Sequence, residues 1–225
     1  MTTTTAIETR SLAEVPEFRS AEGNRIVAQG VAMRYGARSA PIRGQFREEF
    51  RSAAFARTVG QSDVHAHLEH HGPFLARTGS GTMRLTDSPQ ALAYEIDLPD
   101  TTAGRDAANL LERGDVAGAS IGFRAIPKQV SWSVDTDGMA LRSIAEAQLF
   151  RVDLTTSPYY QDSTAEIALR SLADDLGMEV RSLLEATDLA AIIAPTDGDE
   201  QGTQEGDDAR EIPTVVRAPL TALYA

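Results

Sequence analysis

Apolar positions follow two periods along this chain, and their succession predicts most of its elements. Residues 1–22 show little periodicity and several charges, and read as a flexible arm over 1–23. Ile26, Val27, Val31 and Met33 suit a strand over Arg25–Met33, and Gly36–Gly44, with Pro41, is a loop. Phe46, Phe50, Ala53, Ala54 and Val59 recur at near-helical spacing and predict a short helix around 50–59. Strands are then expected at Val64–Glu69, at Leu75–Leu85 with a break at Thr78-Gly79-Ser80-Gly81, and at Leu92–Leu98, where Leu92, Tyr94, Ile96 and Leu98 alternate.

Asp100-Thr101-Thr102 is a good N-cap for a helix carrying Ala103, Ala107, Leu110 and Leu111 through Glu112, stopped by Gly114. Four more strands follow: Gly118–Ile126, Gln129–Val134, Met139–Ile144 after an Asp137-Gly138 turn, and Ala147–Thr156. Short strands with two helices predict a mixed α+β domain built on a mainly antiparallel sheet or barrel. Helical spacing of Leu, Ile, Val and Ala returns over Ser163–Leu172 and Leu176–Ala194. The expected organisation is a domain over 24–172, a helical extension over 173–194, and an acidic disordered tail with an apolar terminal peptide over 195–225.

Composition narrows the chemistry. With 225 residues, the chain has room for one ordinary domain plus tails. It has no cysteine, so a disulfide scaffold, a thiol nucleophile and Cys-based metal sites are excluded. No apolar run reaches membrane-spanning length, and the threonine-rich start has no basic or apolar signal region, so the expectation is a soluble protein with no membrane partner. Net charge is −12, and half of it lies between Pro195 and Pro213. An acidic surface without a basic patch argues against a nucleic-acid partner.

All four histidines fall in one stretch, His65, His67, His70 and His71. A polar strand and turn without chemistry is one reading. A second is metal: His65-Ala-His67-Leu-Glu69-His70 is similar to the His-x-His-x-Asp-His element of metallo-β-lactamase-like hydrolases. That fold needs further histidines downstream and repeated αβ units, and this sequence has neither. The third reading pairs a histidine with a nucleophilic serine, of which Ser120 in Gly118-Ala119-Ser120-Ile121-Gly122 is the best candidate. Flanking glycines let backbone approach closely and leave amides free for an oxyanion hole. A helix precedes Ser120 and a strand follows, the reverse of a lipase-type elbow.

Three ordered segments carry a resemblance. Leu68-Glu69-His70-His71-Gly72-Pro73-Phe74-Leu75-Ala76-Arg77-Thr78, continued by Ser80-Gly81-Thr82-Met83-Arg84-Leu85, is the first. Arg113-Gly114-Asp115-Val116 through Ser120-Ile121-Gly122-Phe123 is the second and most specific, and Leu149-Phe150-Arg151-Val152-Asp153-Leu154-Thr155-Thr156-Ser157-Pro158-Tyr159-Tyr160 is the third. Together they resemble the prohead (capsid maturation) serine protease family of HK97-like tailed phages, over roughly residues 25–165.

The resemblance implies a herpesvirus-assemblin-like, mainly antiparallel β-barrel with flanking helices. It implies a serine endopeptidase without cofactor or metal, inside the procapsid in the host cytoplasm, that cleaves scaffold or delta segments of the major capsid protein and also itself. A homo-oligomer is left open. By position, His70 is the general base and Ser120 the nucleophile. His71 stands where the family has an acid, and His65 and His67 receive no role. Arg151 stands where the family has its third catalytic residue, a glutamate, and an arginine cannot orient an imidazolium. Strand alternation puts Arg151, Asp153 and Thr155 on one face, so Asp153 is the candidate orienting acid, with an Arg151–Asp153 surface pair as the bland alternative. Glu146 is second, reaching that face only through a bulge. A non-enzymatic assembly component with a protease-derived fold is the alternative function, motivated by Arg151.

Overall fold

A computed structural model of the chain describes residues 6–21, 25–70, 72–158 and 164–194. The chain divides into a unit over Met1–Ala194 and a second over Pro195–Ala225. The expectations for His71 and for the tail 195–225 lie outside the described residues.

Twelve strands and four helices are assigned among the described residues. The strands are β1 (Glu8–Leu12), β2 (Glu17–Ala21), β3 (Arg25–Arg34), β4 (Phe46–Phe50), β5 (His65–His67), β6 (Phe74–Arg77), β7 (Met83–Asp87), β8 (Ala91–Leu98), β9 (Gly118–Ala125), β10 (Val130–Val134), β11 (Ala140–Ile144) and β12 (Ala147–Thr155). The helices are α1 (Thr102–Glu112), α2 (Ala165–Leu176), α3 (Val180–Leu184) and α4 (Leu189–Ile193). Strand order is β1-β9-β12-β5-β6 in one sheet, β10-β11-β4 in a second and β2-β3-β8-β7 in a third. All pairings are antiparallel except β11 with β4 and β12 with β5. Among the described residues no helix is long and apolar enough to cross a membrane.

This architecture is mixed α+β, and it corrects the expected barrel. Closure requires every strand to be paired on both sides. Here β1, β6, β2, β7, β10 and β4 are edges, and among the described residues the three sheets do not close.

Local patterning explains the elements that matter for the site. β8 alternates along its length, burying Leu92, Tyr94, Ile96 and Leu98. α1 is capped by Thr101, whose hydroxyl accepts from the Gly104 amide at 3.2 Å, and it lays Ala107, Ala108 and Leu111 on the core. β9 runs through the core between β1 and β12, with Ala119, Ile121 and Phe123 fully buried. Phe50, Phe55 and Phe123 meet there with ring centroids 5.0–6.4 Å apart.

Three further expectations are revised. The helix expected around 50–59 is a run of turns, because Ala53 takes φ 61° and breaks the helical path. Its apolar spacing reflects Ala54 and Phe55 dropping into the core. The arm expected over 1–23 contributes β1 and β2, because Glu8 and Arg10 face inward as a buried ion pair that hydrophobic patterning does not register. The segment 173–194, expected as a helical extension, holds the end of α2 together with α3 and α4, and it packs onto the domain: Leu183, Leu189 and Ala190 share a buried cluster with Ile42, Phe46 and Ala140.

That packing generates a prediction. Ending the chain after Leu172 removes Leu183 and Leu189 from the cluster, a loss of about 3–6 kcal/mol for two buried leucines. A chain ended after Ala194 is expected to keep the full-length urea midpoint, while one ended after Leu172 unfolds at markedly lower urea. Equal midpoints for the two would show that the cluster contributes little.

Candidate active site

The register of β9 on β12 sets Ser120 directly opposite Asp153, and directly opposed residues of an antiparallel pair share a face. β5 runs parallel to β12 on its other side with His65 beside Arg151, which brings His67 level with Asp153. Beyond β5 the chain continues through a bridge from Leu68 to Leu154, and then turns back so that the Leu68 amide donates to the Pro73 carbonyl at 3.0 Å.

Glu69 holds this turn. It adopts φ 62°, a conformation that costs a non-glycine residue about 1–2 kcal/mol. Its amide donates to the Leu154 carbonyl at 2.8 Å, and its carboxylate accepts from the Thr156 amide at 2.7 Å and the Thr155 hydroxyl at 3.0 Å. Partial burial works to raise the Glu69 pKa, but the bonds from Thr156 and Thr155, with the nearby His70, outweigh it and hold the carboxyl below its ordinary range. At Gly72 a Cβ would lie 1.7 Å from the Leu68 carbonyl oxygen, so the turn closes only on a glycine.

This turn carries His70 over the end of β12. Its Nδ1 lies 3.1 Å from Oδ2 of Asp153, a carboxylate that is completely buried. His67 reaches the other oxygen: its Nδ1 is 3.2 Å from Oδ1, which also accepts from the His67 amide at 3.2 Å. In the Nδ1–H tautomer an imidazole donates to such a carboxylate and keeps Nε2 as an acceptor. Arg151 completes the surroundings of Asp153 with an ion pair of 3.0 Å from Nε. The Arg151–Asp153 pair therefore forms, but its carboxylate is buried and shared with two imidazoles. Glu146 lies elsewhere. A bulge does occur in β12, between Leu149 and Arg151, yet Glu146 precedes the strand and pairs with Arg57 at 3.0 Å.

Ser120 is also fully buried. Its hydroxyl donates to the Arg10 carbonyl at 3.1 Å and accepts from the Ser11 hydroxyl at 3.0 Å, both on β1. The flanking glycines answer to neighbouring chain. A Cβ at Gly122 would lie 2.7 Å from Cγ of Arg151, and one at Gly118 would lie 2.2 Å from the Leu12 carbonyl oxygen. His65, read as having no role, lies 3.5 Å from Asp63. Among the described residues no group of three or more His, Asp or Glu is disposed to hold a metal ion.

The structure thus gathers His70, Asp153 and Ser120 around the β9–β12 ladder and leaves Glu146 and His65 apart. Sequence reasoning missed His67, Glu69 and β1. Only His67 left a signal, since His-x-His on a strand puts both rings on one face.

A serine opposite a buried carboxylate that carries a histidine is an arrangement for nucleophilic hydrolysis. A family model described as caudovirus prohead serine protease matches residues 14–176, and the chain belongs to that family. No curated protein matches. Among solved structures the chain is similar to the bacteriophage T4 capsid assembly protease, gp21, at 10% identity and a TM-score of 0.46, covering 68% of this chain and 98% of that one.

The Glu69 anchor is testable. Glu69→Ala removes both acceptors, and the resulting displacement of His70 is expected to lower peptidase activity by up to about 10²-fold, mainly in kcat. The carboxyl is depressed in the folded state, so its contribution is complete above the ordinary value of 4.5 and is lost as pH falls through the lowered folded value. Wild-type urea midpoints should therefore fall more steeply below that pH than those of Glu69→Gln. Parallel pH profiles would contradict the anchor.

Proposed function

We propose that this chain is a serine endopeptidase of the phage prohead, with Ser120 as nucleophile, His70 as general base and Asp153 as the orienting acid. Its substrates are scaffold or delta segments of the major capsid protein, and its own chain, inside the procapsid. The observation that carries the reading is the buried Asp153 carboxylate, which lies directly across β9–β12 from Ser120 and 3.1 Å from Nδ1 of His70.

In this mechanism His70 Nε2 takes the Ser120 proton as Oγ attacks the scissile carbonyl. Asp153 keeps the proton on Nδ1 and faces the imidazolium as it forms. The protonated Nε2 then gives its proton to the departing amine, and the peptide bond breaks to leave an acyl-enzyme. Water, deprotonated by the same nitrogen, hydrolyses the ester and restores Ser120. In the described arrangement Ser120 bonds to β1, so its hydroxyl must turn from the Arg10 carbonyl toward the histidine for the first step.

Mass spectrometry of the chain with its cognate capsid protein tests this. Ser120→Ala and His70→Ala are each expected to abolish trimming, with rates down by on the order of 10³-fold or more, and the double variant little worse than either. His67→Ala should retain much more activity than His70→Ala. Loss with His67→Ala and survival with His70→Ala would transfer the base to His67, which meets the same carboxylate. Identical, untrimmed masses for wild type and Ser120→Ala would favour a non-enzymatic assembly component.

A further inference from the structure

The active-site face carries a row of basic side chains drawn from three strands. In β9, Ala119, Ile121 and Phe123 are buried in the core, so Ser120 and Gly122 share the other face. Arg151 stands opposite Gly122, His65 stands beside Arg151, and Arg77 stands opposite His65. Partners in such a ladder share a face, so Arg151, His65 and Arg77 line up across β12, β5 and β6. This row lies one pleat, about 7 Å, along from the row of Ser120, Asp153 and His67. Its members stand at positions 65, 77 and 151, so no local run of basic residues announces it.

Donors in the row outnumber acceptors. Asp63 is shared between Arg77 and His65, and Asp153 between Arg151, His67 and His70. Arg151 is the member with most capacity left. Its Nε is buried 3.0 Å from Oδ2 of Asp153, yet it is not aligned to donate a hydrogen bond. Its terminal nitrogens make none among the described residues, and the side chain is 24% exposed. Gly122 is what lets this arginine lie toward β9, since a Cβ there would come 2.7 Å from its Cγ and 2.8 Å from its Nε.

Building on Ser120 as the nucleophile, we propose that Arg151 is the specificity residue of this site and reads an acidic side chain, Glu or Asp, within two residues of the bond that is cut. Two residues of extended peptide span the same 7 Å or so that separates the Arg151 row from Ser120. A guanidinium offers a carboxylate two parallel N–H groups, a fit that an amide of the same shape lacks. Recognition is coupled to catalysis through one atom. Arg151 and Nδ1 of His70 both face Oδ2 of Asp153, so a guanidinium held there opposes the imidazolium that the reaction forms. A substrate carboxylate draws Arg151 away and leaves that oxygen to His70.

Two fluorescein-labelled heptapeptide pools test this on the full chain. One has Glu at its centre and Ala, Leu, Ser or Thr elsewhere, and the other has Gln at its centre. Wild type is expected to cleave the Glu pool about tenfold faster in kcat/KM, with cuts within two residues of the Glu by mass spectrometry. Arg151→Gln should bring the ratio close to one. Arg151→Lys, which keeps the charge but not the fork, should hold part of the preference and guards against mere loss of the fold. In Ser120→Ala, fluorescence anisotropy should show the Glu pool bound about tenfold more tightly than the Gln pool, and only while Arg151 is present. Equal binding of the two pools, or a cleavage ratio that Arg151→Gln leaves unchanged, would overturn the proposal. If both pools are cut at equal rates, the peptidase reading stands and the acidic subsite falls. If no form cuts either pool but the Arg151-dependent binding appears, the subsite stands and the peptidase reading falls.

Discussion

The hydrogen-bonded pairing of β9 with β12 sets Ser120 across from Asp153, and the other parts of the site are arranged around that pair. One extra residue in β12 decides it. Continued from the register of Leu149 with Phe123, the ladder would oppose Val152 to Ser120 and turn Asp153 to the other face. The bulge between Leu149 and Arg151 shifts the phase by one, so a carboxylate and not a valine faces the serine. A buried carboxylate is tolerated only when its oxygens are bonded, and here two imidazoles, one amide and one guanidinium surround it.

A second buried polar cluster supports the ladder from the opposite side. Burial works to raise the Glu48 pKa, but the adjacent Arg10 and Arg142 guanidiniums outweigh it and hold the carboxyl below the usual range. The same pairing raises Arg142 against the desolvation that would lower it. Such a cluster is weak evidence for net stability, but removing one member costs about 3–5 kcal/mol because it strands a buried charge. Its effect here is specificity of position. It ties β1 to β4 and β11, and thereby fixes which carbonyl and which hydroxyl meet Ser120.

Much of the fold was legible wherever a local pattern decides the structure. β8 alternates, α1 starts at a threonine cap, and β9 to β12 are short apolar runs bounded by turns. Features set by distant pairing were not legible. The periodicity of residues 50–59 could not reveal a positive φ at Ala53, and residues 1–22 read as a flexible arm because the partners of Glu8 and Arg10 lie far along the chain, on β4 and β11. The barrel expectation failed on the unpaired edges, which no strand announces by itself. In the site, alternation along β12 put Asp153 on the face that the register sets opposite Ser120, and the strand and turn carrying His70 bring it to the same carboxylate. His67 depended on β5 lying parallel to β12, a contact between residues 86 apart in the chain.

The central claim is that Asp153 orients His70 for Ser120, in the place where Arg151 replaces the glutamate that the resemblance led one to expect. Steady-state cleavage of the capsid substrate by Asp153→Asn measures it most directly, with circular dichroism to verify the fold. Asn keeps the shape but donates where the carboxylate accepted, so kcat is expected to fall by on the order of 10³–10⁴-fold without vanishing. A wild-type rate for Asp153→Asn, together with a collapse for Glu146→Gln, would contradict the account.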